Sequence, residues 1–350
     1  MRDNGITIGK ALAIMLMVLG HTRFSPPGIS FIYMFHIPAF FFFSGYCFKE
    51  KYMDAPVKSF IVKRINGLWL PFVKYGLLFL LLHNVFFHLN IYNDVYGYNG
   101  EVSRIYDVKD FVAKAIHIVF TMTGEEQLLG AFWFLRTLLW SSVIGYGILR
   151  FRNQELKLVL WGGVILLASY LLLLADLRVP FFAIGGRELL ATFFFLVGVA
   201  YKRSGFRWEC SYATLPICLS LLIIGSIFWP TNVGNPDWRM LFPYSVSAMG
   251  GSIILLAFGK ILDRTVFLKN LLIFIGDHTM EVLIWHFLCF KLVSFAIIQF
   301  YHLPIENLAH FPVIEVYSKQ GWWFVYWLVG VAIPLTVTKG FSLIKTKING

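Results

Sequence analysis

Charge is what this 350-residue chain has least of: 14% of its residues are Asp, Glu, Lys or Arg, 58% are hydrophobic, and 19 acids stand against 30 bases. So much apolar surface cannot be hidden in a soluble domain, so the composition excludes a water-soluble globular protein and requires an integral membrane one. Cysteine is scarce too. Cys47, Cys210, Cys218 and Cys289 lie in or beside apolar segments without CxxC spacing or paired histidines, which excludes a disulfide framework and a zinc site. No metal is expected. There is no internal repeat, low-complexity tract or long linker, and no two matching halves with broken helices, which weighs against a transporter. No small-residue cleavage site follows the first apolar segment, so that segment reads as a retained helix rather than a signal peptide.

The net charge of +11 is spread in small groups between apolar stretches and forms no stripe, so nucleic acid is not an expected partner. At roughly 20 apolar residues per span, about ten segments can be placed, near 7–23, 29–48, 67–89, 129–150, 157–175, 181–201, 211–229, 239–260, 271–299 and 321–341. The expected fold is an all-α polytopic membrane protein, a bundle of about ten transmembrane helices. It forms one domain over 1–350 with no separate soluble domain. Lysines and arginines such as Lys49, Lys51, Lys58, Lys63, Arg64, Lys202 and Arg203 concentrate in alternate loops, which puts both termini in the cytoplasm of a multi-pass inner (plasma) membrane protein. The longest polar connection, about 90–128, contains Asn93, Asp94, Tyr96, Tyr98 and Asn99, and its apolar run at 111–122 is short for a span. It is expected to be an interfacial or re-entrant helix.

Ionisable side chains at membrane depth are costly and mark function. Lys10 and His21 stand in the first segment; eleven residues turn a helix by about 1100°, so the two share a face about 16 Å apart. A cation at the inner mouth with an imidazole deeper in suits an anionic cytosolic donor. The alternative is a snorkelling anchor at Lys10 and an interfacial residue at His21. His36 lies well inside the second segment, and Pro38 is expected to kink that helix beside it. Arg136, with Glu125 and Glu126 just before its segment, reads as an ion pair closing the bundle, and Arg187-Glu188 as an internal pair. Asp277, His278, Glu281, His286 and Lys291 make the ninth segment the richest in ionisable groups, with Asp277 and Glu281 four apart on one helical face.

Several motifs together carry a resemblance: Arg2 through Ile6, Lys10-Ala11-Leu12-Ala13-Ile14, Val18-Leu19-Gly20-His21, Phe35-His36-Ile37-Pro38 and Phe42-Phe43-Ser44-Gly45. They resemble the membrane acyltransferase-three family, in particular its sugar O-acetyltransferases of the fucose acetylase type. Lys63-Arg64 ahead of Leu70-Pro71, Trp133-Phe134-Leu135, and Ile275-Gly276-Asp277-His278 with Trp285-His286 extend the likeness along the chain. Where the family often has Arg-x-x-Arg, this chain has Lys63-Arg64-Ile65-Asn66-Gly67 and lacks the second arginine.

The resemblance implies transfer of an acyl group from acetyl-CoA, or another short acyl-CoA, to a hydroxyl of a glycan or lipid-linked sugar acceptor. It implies His21 as general base, with His36 and His286 as further catalytic candidates. Lys10, Lys63 and Arg64 become candidates for the coenzyme phosphates, and Trp133, Arg136, Asp277 and Glu281 for the acceptor. An acyl-histidine intermediate stays open. Membrane lipids surround the chain, and a homo-oligomer also stays open. The competing readings are a transporter or flippase of a lipid-linked sugar, and a binding or sensory module on the same scaffold.

Overall fold

The computed structural model describes residues 3–96, 102–151 and 155–349, with backbone alone for 155–157 and 341–349; Arg2, Tyr98 and Asn99 lie outside it. The described chain is almost wholly helical. In order come α1 (Asn4–His21), α2 (Pro26–Tyr33), α3 (His36–Tyr46), α4 (Lys51–Asp54), α5 (Val57–Arg64), α6 (Leu70–His88), α7 (Val108–Ile116) and α8 (Trp133–Phe151). They are followed by α9 (Glu155–Leu174), the two-residue strands β1 (Arg178–Val179) and β2 (Ile184–Gly185), α10 (Gly186–Ser204), α11 (Thr214–Phe228), α12 (Leu241–Leu262), α13 (Val266–Asp277), α14 (Thr279–Tyr301), α15 (Glu315–Tyr317) and α16 (Trp323–Asn349).

This is an all-α multi-pass membrane protein. Among the described residues, 6 helical stretches are long and apolar enough to cross a membrane: Asn4–His21, Pro26–Tyr46, Val57–His88, Trp238–Leu262, Thr279–Tyr301 and Glu315–Gly340. Leu158–Leu174 and Thr214–Phe228 are apolar but shorter. The helices α8 and α10, at 19 residues each, occupy two more of the expected segments.

Three segments differ from expectation. The second is two helices, because the chain leaves helical geometry at Phe35 (φ −139°). Pro38 thus falls in the first turn of α3, where its missing N–H has no intrahelical role. The ninth breaks at His278 (φ −112°, ψ 30°), so Asp277 ends one helix and Glu281 lies in the first turn of the next. The Gly-Asp-His sequence there is weakly helix-forming, and a Cβ on Gly276 would come within 2.0 Å of the Thr7 carbonyl oxygen. Lys63 and Arg64 do not sit in a loop: α5 runs through a π-turn, Ile65–Trp69, into α6, so both are carried on one long rod.

Two compact units are built from interleaved pieces: Met1–Ala13, Ser30–Pro71 and Trp133–Gly276 in the first, Ile14–Ile29, Phe72–Phe132 and Asp277–Gly350 in the second. In the first unit, α3 and α10 touch backbone to backbone. A Cβ on Gly45 would lie 1.9 Å from the Phe195 carbonyl oxygen and one on Gly198 2.1 Å from that of Phe42, so only glycine permits this crossing. Phe48, Tyr52, Phe60, Tyr146 and Phe195 pack beside it. Arg150 closes that cluster by donating to the carbonyls of Met53 (2.9 Å) and Ala55 (3.1 Å).

In the second unit, α14 lies along α16. Ser294 and Tyr326 share a hydrogen bond of 2.8 Å, and the Tyr326 oxygen also accepts the Ile314 N–H at 3.3 Å. The run expected to be an interfacial or re-entrant helix folds as α7, capped reciprocally by Asp107 and Asp110 and extended by a π-turn to Thr121. Val108, Val112, Ile116 and Phe120 stand exposed at every fourth position, giving it one apolar face.

Candidate functional site

His21 closes the last turn of α1, where Thr22 turns back on Leu19 through both its N–H (3.1 Å) and its hydroxyl (2.8 Å). Arg23 then takes a left-handed conformation (φ 59°). Two groups from the C-terminal part of the chain pin this end within the second unit. The Ser318 hydroxyl donates to the Thr22 carbonyl, and the Trp327 indole donates to the Met15 carbonyl at 3.0 Å.

Against His21 stacks His286 from the middle of α14, with ring centroids 5.5 Å apart and planes 25° from parallel. These two sequence-selected histidines thus meet in one unit. Phe287 lies against both, 4.8 Å from His21 and 4.0 Å from His286, and is backed by Phe311 at 4.7 Å.

The His286 tautomer follows from its neighbours. Its Nδ1 faces the carbonyls of Val282 (3.0 Å) and Leu283 (3.1 Å), which only accept, so Nδ1 carries the proton and Nε2 the lone pair. The side chain is fully buried, and Nε2 has no hydrogen-bond partner. A buried acceptor left unpaired costs on the order of 1–3 kcal/mol, so such an atom calls for a ligand, a water or a reaction to explain it. Both polar atoms of the Gln127 amide and one oxygen of Glu281, also in this unit, are buried without partners.

The first unit holds His36, Lys10, Lys63, Arg64, Trp133 and Arg136. The imidazole of His36 donates through Nδ1 to the Ile32 carbonyl (2.7 Å), capping the end of α2, and lies tilted against the Tyr33 ring at 5.3 Å. Lys10 is half-buried on α1. Lys63 lies over the Tyr52 ring at 5.3 Å, and its hydrogen bond pulls the Tyr52 hydroxyl below the usual phenol range. Arg64 reaches Ser44 (3.3 Å) and the Phe60 ring, while its buried Nε has no partner.

Arg187 and Glu188 form the expected pair at 2.9 Å, with Arg187 over the Trp133 ring at 5.2 Å. The partners expected for Arg136 are otherwise engaged: Glu125 bonds Lys114 (3.0 Å) and His117 (3.1 Å), and Glu126 meets His83 at 3.2 Å. Arg136 instead feels Arg187, Glu188 and Arg178, and its Nε is buried and unpaired. The break at His278 removes the helical register that had joined Asp277 and Glu281.

Sequence reasoning overlooked His83, although the same rule that selected His36 applies to an imidazole in the apolar run of α6. It is fully buried, stacked on Tyr106 at 3.4 Å between centroids, and bonded through Nε2 to the Arg104 carbonyl (3.0 Å) as well as to Glu126. Burial raises the Glu126 carboxyl above its ordinary range against the pull of His83. Lys291 was noted in the sequence, but not its partners: its ammonium donates to the carbonyls of Leu308 and His310, both at 2.8 Å. Among the described residues, no group of three His, Cys, Asp or Glu side chains is placed to hold a metal ion.

A family model, described as an acyltransferase domain, matches residues 3–339. No curated protein and no solved structure matches the chain.

Proposed function

The chain belongs to the acyltransferase-three family and is a membrane acyltransferase, and on that premise we propose that it moves a short acyl group, acetyl first, from a cytosolic acyl-CoA to a sugar hydroxyl. The sugar belongs to a cell-surface polysaccharide or a lipid-linked glycan, the substrate class of the sugar O-acetyltransferases that the first-helix motifs resemble. The protein works in the plasma (inner) membrane with both termini in the cytoplasm.

The observation that carries this reading is the stacked pair of His21 and His286, with an unpartnered, buried Nε2 on the latter. His21 acts as general base. It takes the hydroxyl proton as the sugar oxygen bonds to the thioester carbonyl carbon, and returns that proton to the coenzyme A thiolate when the tetrahedral intermediate collapses. His286 accepts through Nε2 from a neighbouring hydroxyl of the same sugar and so keeps the reacting hydroxyl beside His21. Phe287 walls the pair with apolar surface, where a fixed polar contact is worth more than in water.

Lys10, Lys63 and Arg64 take the phosphates of the donor; the unpaired Arg64 Nε suits an anion. Trp133, Arg136, Asp277 and Glu281 serve the acceptor, and His36 joins through Nε2, its Nδ1 being spent on Ile32. The test is coenzyme A release from acetyl-CoA by the purified chain in lipid nanodiscs, wild type against His21→Ala, with a panel of sugar acceptors. Release that needs both His21 and an acceptor supports the reading. Sugar movement without donor, or release indifferent to His21, sinks it.

A further inference from the structure

Where α9 ends and α10 begins, the first unit encloses a polar cavity that the chemistry above does not use. Its volume is about 130 Å³, and its polar lining includes Asp176, Arg178, Arg187, Glu188 and Asn235. Glycine lets its walls come close together. A Cβ on Gly185 would stand 3.0 Å from Cγ of Arg178, and one on Gly186 2.3 Å from Cγ of Leu173.

The charges do not balance. Three guanidiniums gather here, those of Arg178 and Arg187 on the lining and that of Arg136 within their field. Glu188 is already committed: it accepts from Arg187 (2.9 Å), from the Thr137 hydroxyl (3.0 Å) and from the Gly185 N–H (3.0 Å). Asp176 is the other carboxylate on the lining. Arg178 forms no ion pair among the described residues, and Arg136 keeps its buried, unpaired Nε. Trp133 lies beneath Arg187 and adds an aromatic face at the edge of the cluster. Arg178 is exposed, but Arg136 and Arg187 are partly buried with one buried carboxylate, Glu188, for the two; the unbalanced guanidinium calls for a counter-ion, and its fork matches a carboxylate or a phosphate.

We propose that this cavity seats the negatively charged group, carboxylate or phosphate, of an acidic glycan acceptor. The proposal rests on the sugar-acceptor reading given above. On the proposed topology, the loops lining the cavity (residues 176–185 and 234–236) lie on the side away from the cytosol, out of reach of the phosphates of a cytosolic coenzyme. Arginine and asparagine beside a tryptophan are also the groups that recognise a charged sugar by its anion, hydroxyls and ring face.

The test is thermal unfolding of the full chain in zwitterionic nanodiscs with glucuronate, glucose 1-phosphate, glucose or inorganic phosphate, for wild type and Arg178→Gln. Glucuronate or glucose 1-phosphate should raise the midpoint, and glucose should not; which acid works identifies the anion. Arg178→Gln should raise the half-effective concentration roughly tenfold. Asn235→Ala gives a second variant should the first fail to fold. No shift with either acid overturns the proposal. So does a shift untouched by the substitutions, or one matched by glucose or by inorganic phosphate. Failure of acyl transfer itself would appear separately, as absent coenzyme A release from protein that still binds the acidic sugar.

Discussion

His83 and His286 are both wholly buried imidazoles on helices of the same unit, and they have opposite accounts of their nitrogens. His83 has both engaged, with Glu126 at 3.2 Å and the Arg104 carbonyl at 3.0 Å, and a tyrosine ring flat against it. His286 has one nitrogen tied to its own helix and the other facing no partner. A fully satisfied imidazole locks loop to helix and has no capacity left for a substrate. A half-satisfied one retains a lone pair in a buried place, at a cost that a ligand, a water or a reaction offsets. Burial therefore does not distinguish the two histidines; the count of engaged nitrogens does.

The largest effect that would sharpen this contrast is on turnover. His21→Ala should lower kcat for acyl transfer by about a thousandfold, the usual range for losing a general base. His286→Ala should cost about a hundredfold in the molecules that stay folded, beyond the stability any cavity at a buried ring removes. If His286→Ala unfolds the protein while leaving specific activity intact, the contrast is broken. The mirror experiment is Glu126→Ala, which strands a buried partner of His83. It should destabilise by about 3 kcal/mol in denaturant unfolding, while the molecules that remain folded keep their coenzyme A release.

A smaller effect is expected at Tyr326→Phe, which deletes one oxygen shared by Ser294 and the Ile314 N–H. A loss of about 1 kcal/mol follows from one neutral buried bond, and a loss several times larger would mean that the hydroxyl also supports the histidine pair.

The smallest effect concerns a satisfied carboxylate. Burial tends to raise Glu209, but Lys260 and the Tyr201 hydroxyl hold its carboxyl below the ordinary value of 4.5. A depressed folded value means that this contribution to stability is present at neutral pH and disappears as acid takes the pH below 4.5. Glu209→Gln should accordingly flatten the fall in melting temperature between neutral and acid pH; an unchanged slope would assign that fall to other carboxylates.

Much of this was legible in the residues. Apolar run length marks most spans, because a bilayer demands it, and the cost of ionisable groups at depth singled out Lys10, His21, His36 and His286 before any geometry was known. Pairing His21 with His286 was not legible, since no periodicity relates positions 265 apart in sequence; it depends on how α14 packs in the unit that also holds the end of α1. The break at His278 was passed over although Gly276-Asp277-His278 is weakly helix-forming, because the apolar runs on either side of it together have the length of one span. Arg136 misled because sequence proximity to Glu125 and Glu126 outweighed the fold, which gives those acids to Lys114, His117 and His83. The charge excess at Arg178 was invisible, since a two-residue hairpin is below what alternation reveals.

The π-turn at Ile65–Trp69 has a consequence for how this gene tolerates insertions and deletions. A π-turn carries one more residue than an α-helical turn, so deleting one residue there would restore ordinary winding while the residues on either side keep their faces. Elsewhere along the rod from Val57 to His88, the loss of a single codon would rotate everything after it by about 100°, and past the π-turn, ahead of His83, it would swing that imidazole off Glu126. The irregular turn is therefore the stretch of this rod where a length change of one residue is absorbed most gently.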